Sequence, residues 1–387
     1  MSRVVRGVGR RRAVVAAVAS GGLVASGALV SSAPASLAAA DHSAGGSVRT
    51  VVSGLDGPRG LSARHGKVVV AETDGTVSRI YYPKGSSQAA LKRLGRVRTS
   101  FPPAVSVGPH GTVWVLTGAG PERTAAKLFK WRKGFAHPKV VANIAAYQKK
   151  DPDPFDLEDA PRDSNPFGVA ALDDGTVLVA DAGGNDLLRV WPGGHINTVA
   201  RLKPRTVKVP KGLPRTVPGE DGEPPLKIPP AGTKVRSEAV ATSVTVGADG
   251  YWYVGELRGF PATPGKSQIW RIRPGSTGAV CNPARPHKGA CTRFADGLTS
   301  IMALDGAPGG SVYAVEMSKK SWLKVELQKP GSRVGALIRV SPSGGLRELA
   351  PGALKLPGGV AALSAGKVLV AGPIFGPGKV VRVSGQG

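Results

Sequence analysis

Residues 165–190 read NPFGVAALDDGTVLVADAGGNDLLRV. Three short apolar runs are separated by turn-forming residues: the DG dipeptide at 174–175 divides the first two, and a Gly/Asn-rich loop divides the second from the third. Short runs bounded by Gly, Asn and Asp are typical of β-strands joined in hairpins. The stretch therefore predicts three consecutive antiparallel strands, and a repeat architecture if it has copies elsewhere.

The same pattern recurs along the chain. Copies begin near residues 57, 101, 165, 240, 297 and 356, about 60 residues apart, which is within the range of repeat periods. Each copy has three β-type runs, and a fourth often follows, as at 196–200 and 346–350. Four short strands repeated six times are the signature of a β-propeller. We therefore predict an all-β, six-bladed β-propeller, because a sandwich of similar strands would not explain the copies.

The two ends of the chain complement each other. Residues 48–53 form an unmatched β-type run before the first copy, whereas the last copy ends after its third run. Pairing this strand with the last blade would close the ring and cover an exposed sheet edge. We predict a single domain, residues 41–387, with blades at 57–100, 101–147, 165–202, 240–296, 297–351 and 352–387, the last completed by the strand 48–53.

Two insertions interrupt the repeat. Residues 148–164 form an acidic loop, for which exposure to solvent is the plainer interpretation. Its carboxylates, which could add oxygens above the channel, are Asp153, Asp156, Glu158 and Asp163. Residues 203–236 are basic and rich in proline, a composition that disfavours regular structure. They are predicted to be an extended, mobile loop that could also contact an anionic partner.

The first 40 residues have the features of a secretory signal peptide. Three arginines, Arg10 to Arg12, precede an apolar stretch and then the small residues APASLAAA, which predict cleavage after Ala40 or Ala35. An uncleaved membrane anchor is the alternative, since the stretch approaches spanning length. We expect a secreted or cell-wall-associated protein with no transmembrane segment after cleavage.

The charge balance indicates anionic partners. The formal net charge is +26, of which the signal segment carries five arginines and no acid. Outside the cell, anionic wall polymers or lipid headgroups are the expected neighbours, and a solubilising basic surface is the plainer alternative. No nucleic-acid partner is predicted, because few aromatic residues are interleaved with the scattered cations.

The chain has two cysteines, Cys281 and Cys291, in the segment CNPARPHKGAC. In an oxidising compartment this spacing predicts a local disulfide. A zinc site is disfavoured because His287 has no further ligands at a suitable spacing.

Polar side chains are predicted at one face of the channel, where the loop before the first strand of each blade and the loop after the second open together. The loops before the first strands supply Arg59, Asn165 and Thr242. The loops after the second strands supply Glu72, Asp181, Asn185, Glu256 and Glu316. An acid or Asn after a strand often only caps a turn. Four of the six blades place an acid there, however, which favours a shared site.

Two hypotheses follow for this face. The candidates for ligand binding are Arg59, Asn165, Asp181, Asn185, Thr242 and Glu256. The candidates for a Ca²⁺ site, whose ligands are oxygens, are Glu72, Asn165, Asp181 and Glu256. In a metal-dependent hydrolase, Glu316 would be the base.

Three segments resemble a known family. They are SNPFGVAALDDGTVLVADAGGNDLLRV at 164–190, SVTVGADGYWYVGELRGFP at 243–261 and GALIRVSPSG at 335–344. They resemble the ScyD/ScyE family of exported bacterial proteins, and the resemblance covers most of the chain after the signal segment. It implies a secreted six-bladed propeller, and it provides no catalytic residue that could be assigned to this sequence. The repeats resemble NHL-type propellers more loosely.

The predicted function is that of an exported, monomeric binding protein. Its channel-mouth face would hold an unidentified small molecule or an anionic cell-envelope polymer. The alternative is a Ca²⁺-dependent lactonase- or esterase-like hydrolase of the gluconolactonase type, for which the acids at the channel face would hold the ion. Other hydrolase signals are absent, because the sequence has no G-x-S-x-G or H-E-x-x-H motif. A quinone-dependent sugar dehydrogenase is disfavoured because histidine is missing from the expected loops.

Overall fold

The computed structural model describes residues 47–132, 137–217 and 225–385. The predicted signal peptide, residues 1–40, lies outside the described residues. In the part described, no helix is long and apolar enough to cross a membrane. Within the described residues, short β-strands dominate, accompanied by two short α-helices, Ile144–Gln148 and Trp322–Glu326.

The strands follow the chain blade by blade. The described chain begins with β1 (Ser47–Asp56). Blade 1 contains β2 (Leu61–Arg64), β3 (Lys67–Ala71), β4 (Thr76–Tyr81) and β5 (Ala90–Arg96). Blade 2 contains β6 (Ala104–Val107), β7 (Val113–Leu116), β8 (Lys127–Trp131) and β9 (Lys139–Asn143). Blade 3 contains β10 (Pro166–Ala171), β11 (Val177–Asp181), β12 (Asp186–Val190) and β13 (Ile196–Leu202).

An insertion separates blades 3 and 4. It contains β14 (Arg205–Lys208), β15 (Thr216–Val217), β16 (Leu226–Lys227) and β17 (Lys234–Ser237). Blade 4 contains β18 (Ala241–Val246), β19 (Trp252–Glu256), β20 (Ser267–Ile272) and, after the short β21 (Ala279–Cys281), β22 (Cys291–Leu298). Blade 5 contains β23 (Ile301–Gly306), β24 (Val312–Glu316), β25 (Ala336–Val340) and β26 (Leu346–Leu349). Blade 6 contains β27 (Gly359–Ser364), β28 (Lys367–Gly372) and β29 (Pro377–Ser384).

The six-bladed β-propeller predicted from the repeats is confirmed. Blades 1, 2, 4 and 5 are four-stranded antiparallel sheets, and blade 3 gains β21 as a fifth, parallel strand beside β13. The outer strand of blade 6 is β1, which contains the predicted closing run 48–53 and pairs antiparallel with β29. Neighbouring blades therefore meet around the whole ring, and their apolar faces form the core between them.

The innermost strands are joined from one blade to the next by side chains that face the neighbouring strand. In each case a backbone amide of the next blade donates to the side chain over 2.8–3.0 Å. The pairs are Val107 with Ser62, Ala171 with Ser106, Gly306 with Thr245, and Ala362 with Asp305. The strands also approach closely: a Cβ at Gly168 would lie 2.7 Å from the Cα of Ser243. Glycine is required there because any side chain would separate blades 3 and 4.

The basic insertion differs from its prediction as an extended, mobile loop. In the described part, β14 pairs with β17 and β15 with β16, so two β-ribbons form. Val209 and Ile228 are buried in the same apolar cluster as the loops of blades 4 and 5. Arg205 anchors the insertion by donating to both carboxylate oxygens of Asp296, over 2.8 and 2.9 Å. The composition indicated a mobile loop because these apolar residues are isolated among prolines and cations and form no recognisable strand pattern.

The acidic insertion is also more ordered than a solvated loop. Gln148 ends a helix and is fully buried, and Asp153 is buried as well. The predicted disulfide between Cys281 and Cys291 is confirmed. It joins β21 to β22, and both sulfurs lie in the core between blades 3 and 4.

Candidate functional site

The central channel is narrow. The first strands of all six blades line it, and its volume is about 50 Å³. Of the predicted ligand-binding residues, Arg59 and Thr242 lie on this lining. Thr242 is held by its own hydrogen bond, because its hydroxyl donates to the carbonyl of Ile301 over 2.6 Å.

Arg59 lies on the channel lining and is hydrogen-bonded to two neighbouring blades. Its Nη1 donates to the carbonyl of Pro102 over 2.9 Å, and its Nη2 donates to the carbonyl of Phe167. The guanidinium carbon lies 3.6 Å from the centre of the Phe167 ring, a cation–π contact. The side chain thus joins blade 1 to blades 2 and 3, and burial lowers its pKa to about 9.

Asp181 and Asn165 act together at the entrance to blade 3. The Oδ1 of Asp181 accepts from the amides of Asn165, over 2.6 Å, and Gly183, over 3.0 Å, while its Oδ2 accepts from the hydroxyl of Ser164. The side-chain oxygen of Asn165 accepts from the amide of Ala119 in blade 2. Both predicted ligands are therefore turn and blade caps.

A buried pair of acids lies behind this cap. Gln148 donates from one amide nitrogen to Asp181 over 3.3 Å and to Asp186 over 3.1 Å. Burial, together with the nearby carboxylate of Asp181, raises the pKa of Asp186 well above its usual range. Arg201 lies 3.8 Å from Asp186 and is the nearest cation of the network. Neither Gln148 nor Asp186 was predicted, because their contact depends on the acidic insertion folding back onto blade 3.

Asn185 bridges two carboxylates between blades 3 and 4. Its Nδ2 donates to Asp153 over 3.1 Å and to Glu238 over 3.3 Å, and its Oδ1 accepts from the amide of Val240 over 2.7 Å. Burial raises the pKa of Glu238 to about 7. Asn185 therefore links the acidic insertion, blade 3 and the entrance to blade 4. Glu238 was missed because the sequence places it before a first strand, where acids were not expected.

Glu256 is engaged at both oxygens. It forms an ion pair with Arg258 and accepts from the indole nitrogen of Trp270 over 2.6 Å. Glu72 accepts from the amide of Asp56 over 2.9 Å, and Glu316 accepts from the amide of Thr299 over 2.7 Å. Burial raises the pKa of Glu316 to about 7.

The predicted calcium ligands all accept hydrogen bonds from within the protein. Glu72 belongs to blade 1, Asn165 and Asp181 to blade 3, and Glu256 to blade 4, where Arg258 is its counter-charge. Among the described residues, no group of three or more His, Cys, Asp or Glu side chains is arranged to hold a metal ion. The shared Ca²⁺ site at the channel face therefore stays a prediction, and its candidate oxygens accept local hydrogen bonds in the structure.

A larger cavity lies outside the channel, between the outer strands of blades 6 and 1. This outer cleft has a volume of about 840 Å³ and is lined by residues 49–53 of β1, Tyr82, residues 87–91 and Arg382 of β29. Arg49 and Arg382 are directly opposite each other in the β1–β29 pairing. The cleft lining includes two arginines and no acid.

The outer cleft was not predicted. The sequence placed Arg49 in the closing strand and Arg382 in the last run, so an antiparallel alignment of these two segments would have brought them together. Tyr82 lies just after β4, and 57% of its surface is exposed. An exposed aromatic residue beside unpaired cations is the signal that would have indicated the site.

Comparison with known proteins identifies the fold. No family model matches the chain, and no curated protein matches it. The PQQ-bound aldose sugar dehydrogenase of Streptomyces coelicolor is 13% identical, with 88% of this chain and 99% of that chain covered and a TM-score of 0.52. A gluconolactonase of Xanthomonas campestris is 10% identical, with 88% and 89% covered and a TM-score of 0.51.

A third solved structure is regucalcin of Agrobacterium tumefaciens, described as a calcium-binding protein. It is 10% identical, with 89% of this chain and 95% of that chain covered and a TM-score of 0.50. Sequence identities this low establish a shared fold and not a shared activity. The chain is therefore a six-bladed β-propeller similar to these proteins, and its resemblance to the ScyD/ScyE family stays a prediction.

Proposed function

We propose that this chain is an exported binding protein of the ScyD/ScyE type that holds an anionic glycan in the outer cleft. The observation that carries the proposal is the juxtaposition of Arg49 and Arg382 in a cleft whose lining has no acid. Like charges directly opposite each other across two strands are destabilising. A bound anion between them would offset that repulsion.

The chemistry of the two arginines favours carboxylate or phosphate groups. Guanidinium presents several donors in one plane and binds such anions through two parallel hydrogen bonds. No salt bridge engages either side chain in the part of the chain that the structure describes. Both arginines are therefore available to an external anion.

The remaining lining suits a sugar. Tyr82 offers an exposed ring with a hydroxyl at its tip, a combination that packs on an apolar face and still hydrogen-bonds. Ser53, Ser87 and Gln88 add neutral hydrogen-bonding groups along the same cleft. A cleft of about 840 Å³ lies within the size range of small-molecule sites.

The channel mouth supports this role less well than the outer cleft. At about 50 Å³, the channel has no room for a sugar unit, and the guanidinium of Arg59 is already bound to two backbone carbonyls. The binding site proposed here is therefore on the flank of the ring. Secretion, retention at the cell wall and action as a monomer belong to the same proposal, and the excess of positive charge supports them.

Binding of the full chain to polygalacturonate, a phosphorylated dextran and unmodified dextran tests the proposal. We expect binding to the two anionic polymers and none to dextran, with affinity falling as salt is raised. The affinity for polygalacturonate, compared with that for phosphorylated dextran, distinguishes a carboxylate-bearing from a phosphate-bearing partner. Tyr82→Ala should weaken binding in both arms.

A matched pair of double variants locates the site. Arg49→Ala with Arg382→Ala should weaken binding at least about tenfold, since each charge-assisted hydrogen bond contributes about 1.5–3 kcal/mol. Arg162→Ala with Arg285→Ala removes the same charge from exposed positions elsewhere and should leave most of the affinity. Equal losses in both double variants would show diffuse attraction and contradict the assignment to the cleft.

A Ca²⁺-dependent hydrolase remains the alternative function. Thermal unfolding of the full chain in EDTA, followed by excess Ca²⁺, tests it, because an ion that binds only the native state raises stability. The occupied oxygens of Glu256 and Asp181 lead us to expect no change in the midpoint. A rise that is lost in Glu256→Gln would contradict this and support a metal at the channel face.

A further inference from the structure

We propose that a monatomic anion, chloride in ordinary media, binds inside the central channel against the Nε of Arg59. This site is separate from the outer cleft and does not depend on the proposed function.

The charge of Arg59 has no counter-charge among the described residues. The side chain belongs to a residue that is only 5% exposed, and no carboxylate forms a salt bridge with it there. Burial lowers its pKa to about 9, so the guanidinium remains protonated at neutral pH. Buried charges in proteins are normally paired, because leaving water without a partner is costly. The two carbonyls and the Phe167 ring provide dipoles but no opposite charge.

One unused donor, the Arg59 Nε, belongs to a residue on the channel lining. Both terminal nitrogens of Arg59 are occupied by carbonyls, and its buried Nε has no partner. The hydroxyl of Ser243 also has no partner, but it lies beside Gly255 on the side of blade 5, so the site rests on the Arg59 Nε. Orphaned buried donors are rare, and an unlocated ion or water is a common explanation. A cation would be repelled by the guanidinium, so an anion is the ion that fits.

The volume of the channel sets the size of the ion. A water molecule needs about 10–15 Å³ of such space, and the channel has about 50 Å³. There is room for a monatomic anion with one or two waters. The first strands of all six blades line this space, which is too small for a sugar acid or a nucleotide.

The test is thermal unfolding of the full chain while sodium gluconate is replaced by sodium chloride at constant ionic strength. Gluconate is too large for the channel, so the midpoint should rise by a few degrees as chloride increases, following the logarithm of its concentration. Arg59→Met should abolish the dependence on chloride. Arg79→Met, which removes an exposed arginine of the same blade, should retain it.

Crystals of the wild-type chain soaked in bromide give a second measurement that needs no variant to fold. We expect an anomalous peak within hydrogen-bonding distance of the Arg59 Nε. An unchanged midpoint in chloride, an equal response in Arg59→Met, or a channel without bromide would each overturn the proposal.

Discussion

Glu256 and Arg258 show at the scale of single residues what a strand-end acid contacts in this fold. Neither side chain reaches solvent, and Arg258 also donates to the backbone carbonyls of Ser237 and Glu238. The sequence correctly placed Glu256 at the end of a second strand. It could not show that the backbone bends at Arg258, where φ is +71°, and returns the guanidinium to the carboxylate two residues earlier.

Glu256→Gln tests the strength of this buried pair. Removing one partner leaves a buried charge uncompensated and should lower the free energy of unfolding by about 3–5 kcal/mol. Asp173→Asn is the matched control, because Asp173 pairs with Arg64 while 86% of its own side chain is exposed, and exposed pairs contribute at most about 1 kcal/mol. Urea unfolding of both variants measures the difference. Equal losses would contradict a special role for the buried pair.

Glu238 and Glu316 predict an unusual dependence of stability on pH. Burial raises the pKa of each to about 7 in the folded chain, against about 4.3 when unfolded. A raised folded-state pKa gives stability that is fully present below the unfolded value and is lost as pH rises through the folded value. The free energy of unfolding from these two groups should therefore fall between about pH 5 and pH 8.

Urea unfolding at pH 5, 6, 7 and 8 measures this dependence. Glu238→Gln combined with Glu316→Gln should reduce it, because an amide cannot ionise but still accepts from Leu157 and Thr299. The remaining dependence belongs to other buried acids, among them Asp305, whose pKa burial also raises to about 7. Stability that rises with pH in the wild-type chain, with no change in the double variant, would show that other groups dominate.

At the scale of elements, the strands were predictable because their signal is local. Alternating apolar runs between Gly and Asp turns marked the three inner strands of each blade, and those runs lie where the strands are observed, as in β10, β11 and β12. The basic insertion was not predictable in this way. Val209 and Ile228 are single apolar residues among prolines, so their burial depends on contacts with blades 4 and 5 that no local pattern records.

Val209→Ala tests whether the insertion is part of the core. Removing two buried methyl groups should lower the free energy of unfolding by about 1–3 kcal/mol. Val140→Ala makes the same chemical change at a strand residue that is 55% exposed, and it should cost less than about 0.5 kcal/mol. Indistinguishable unfolding curves for the two variants would contradict the claim that the insertion packs into the core.

The disulfide is the second testable element. It joins β21, which extends blade 3, to β22 of blade 4, so it fastens two neighbouring blades at their outer edges. Replacing Cys281 and Cys291 with Ser should lower the free energy of unfolding by about 2–4 kcal/mol. Dithiothreitol should lower the stability of the wild-type chain similarly and leave the double variant unaffected. A variant as stable as the wild-type chain would show that packing alone holds the blades together.

At the scale of the whole molecule, the closure of the ring creates the candidate site. Arg49 and Arg382 come from opposite ends of the described chain and meet because β1 pairs with β29. The sequence suggested this pairing from the spare strand and the incomplete last blade. It did not reveal the cleft, since the cleft exists only once blade 6 is completed and placed beside the outer strand of blade 1.

Truncation tests the role of β1. A chain of residues 57–387 should lose cooperative unfolding and aggregate, because the edge of β29 and its apolar face would be exposed. A chain of residues 47–387 retains β1 and should unfold at the midpoint of the full chain. Size-exclusion chromatography and thermal unfolding compare the two. A soluble 57–387 chain with an unchanged midpoint would show that closure does not depend on β1.

The most direct test of the central claim is hydrogen exchange of the full chain with and without saturating polygalacturonate. Exchange at backbone amides reports where a ligand protects the chain. The outer cleft predicts slowed exchange confined to residues 47–56, 82–91 and the strand around Arg382. Protection at the channel-mouth loops around Arg59 and Asn165 instead, or no protection anywhere, would contradict the account.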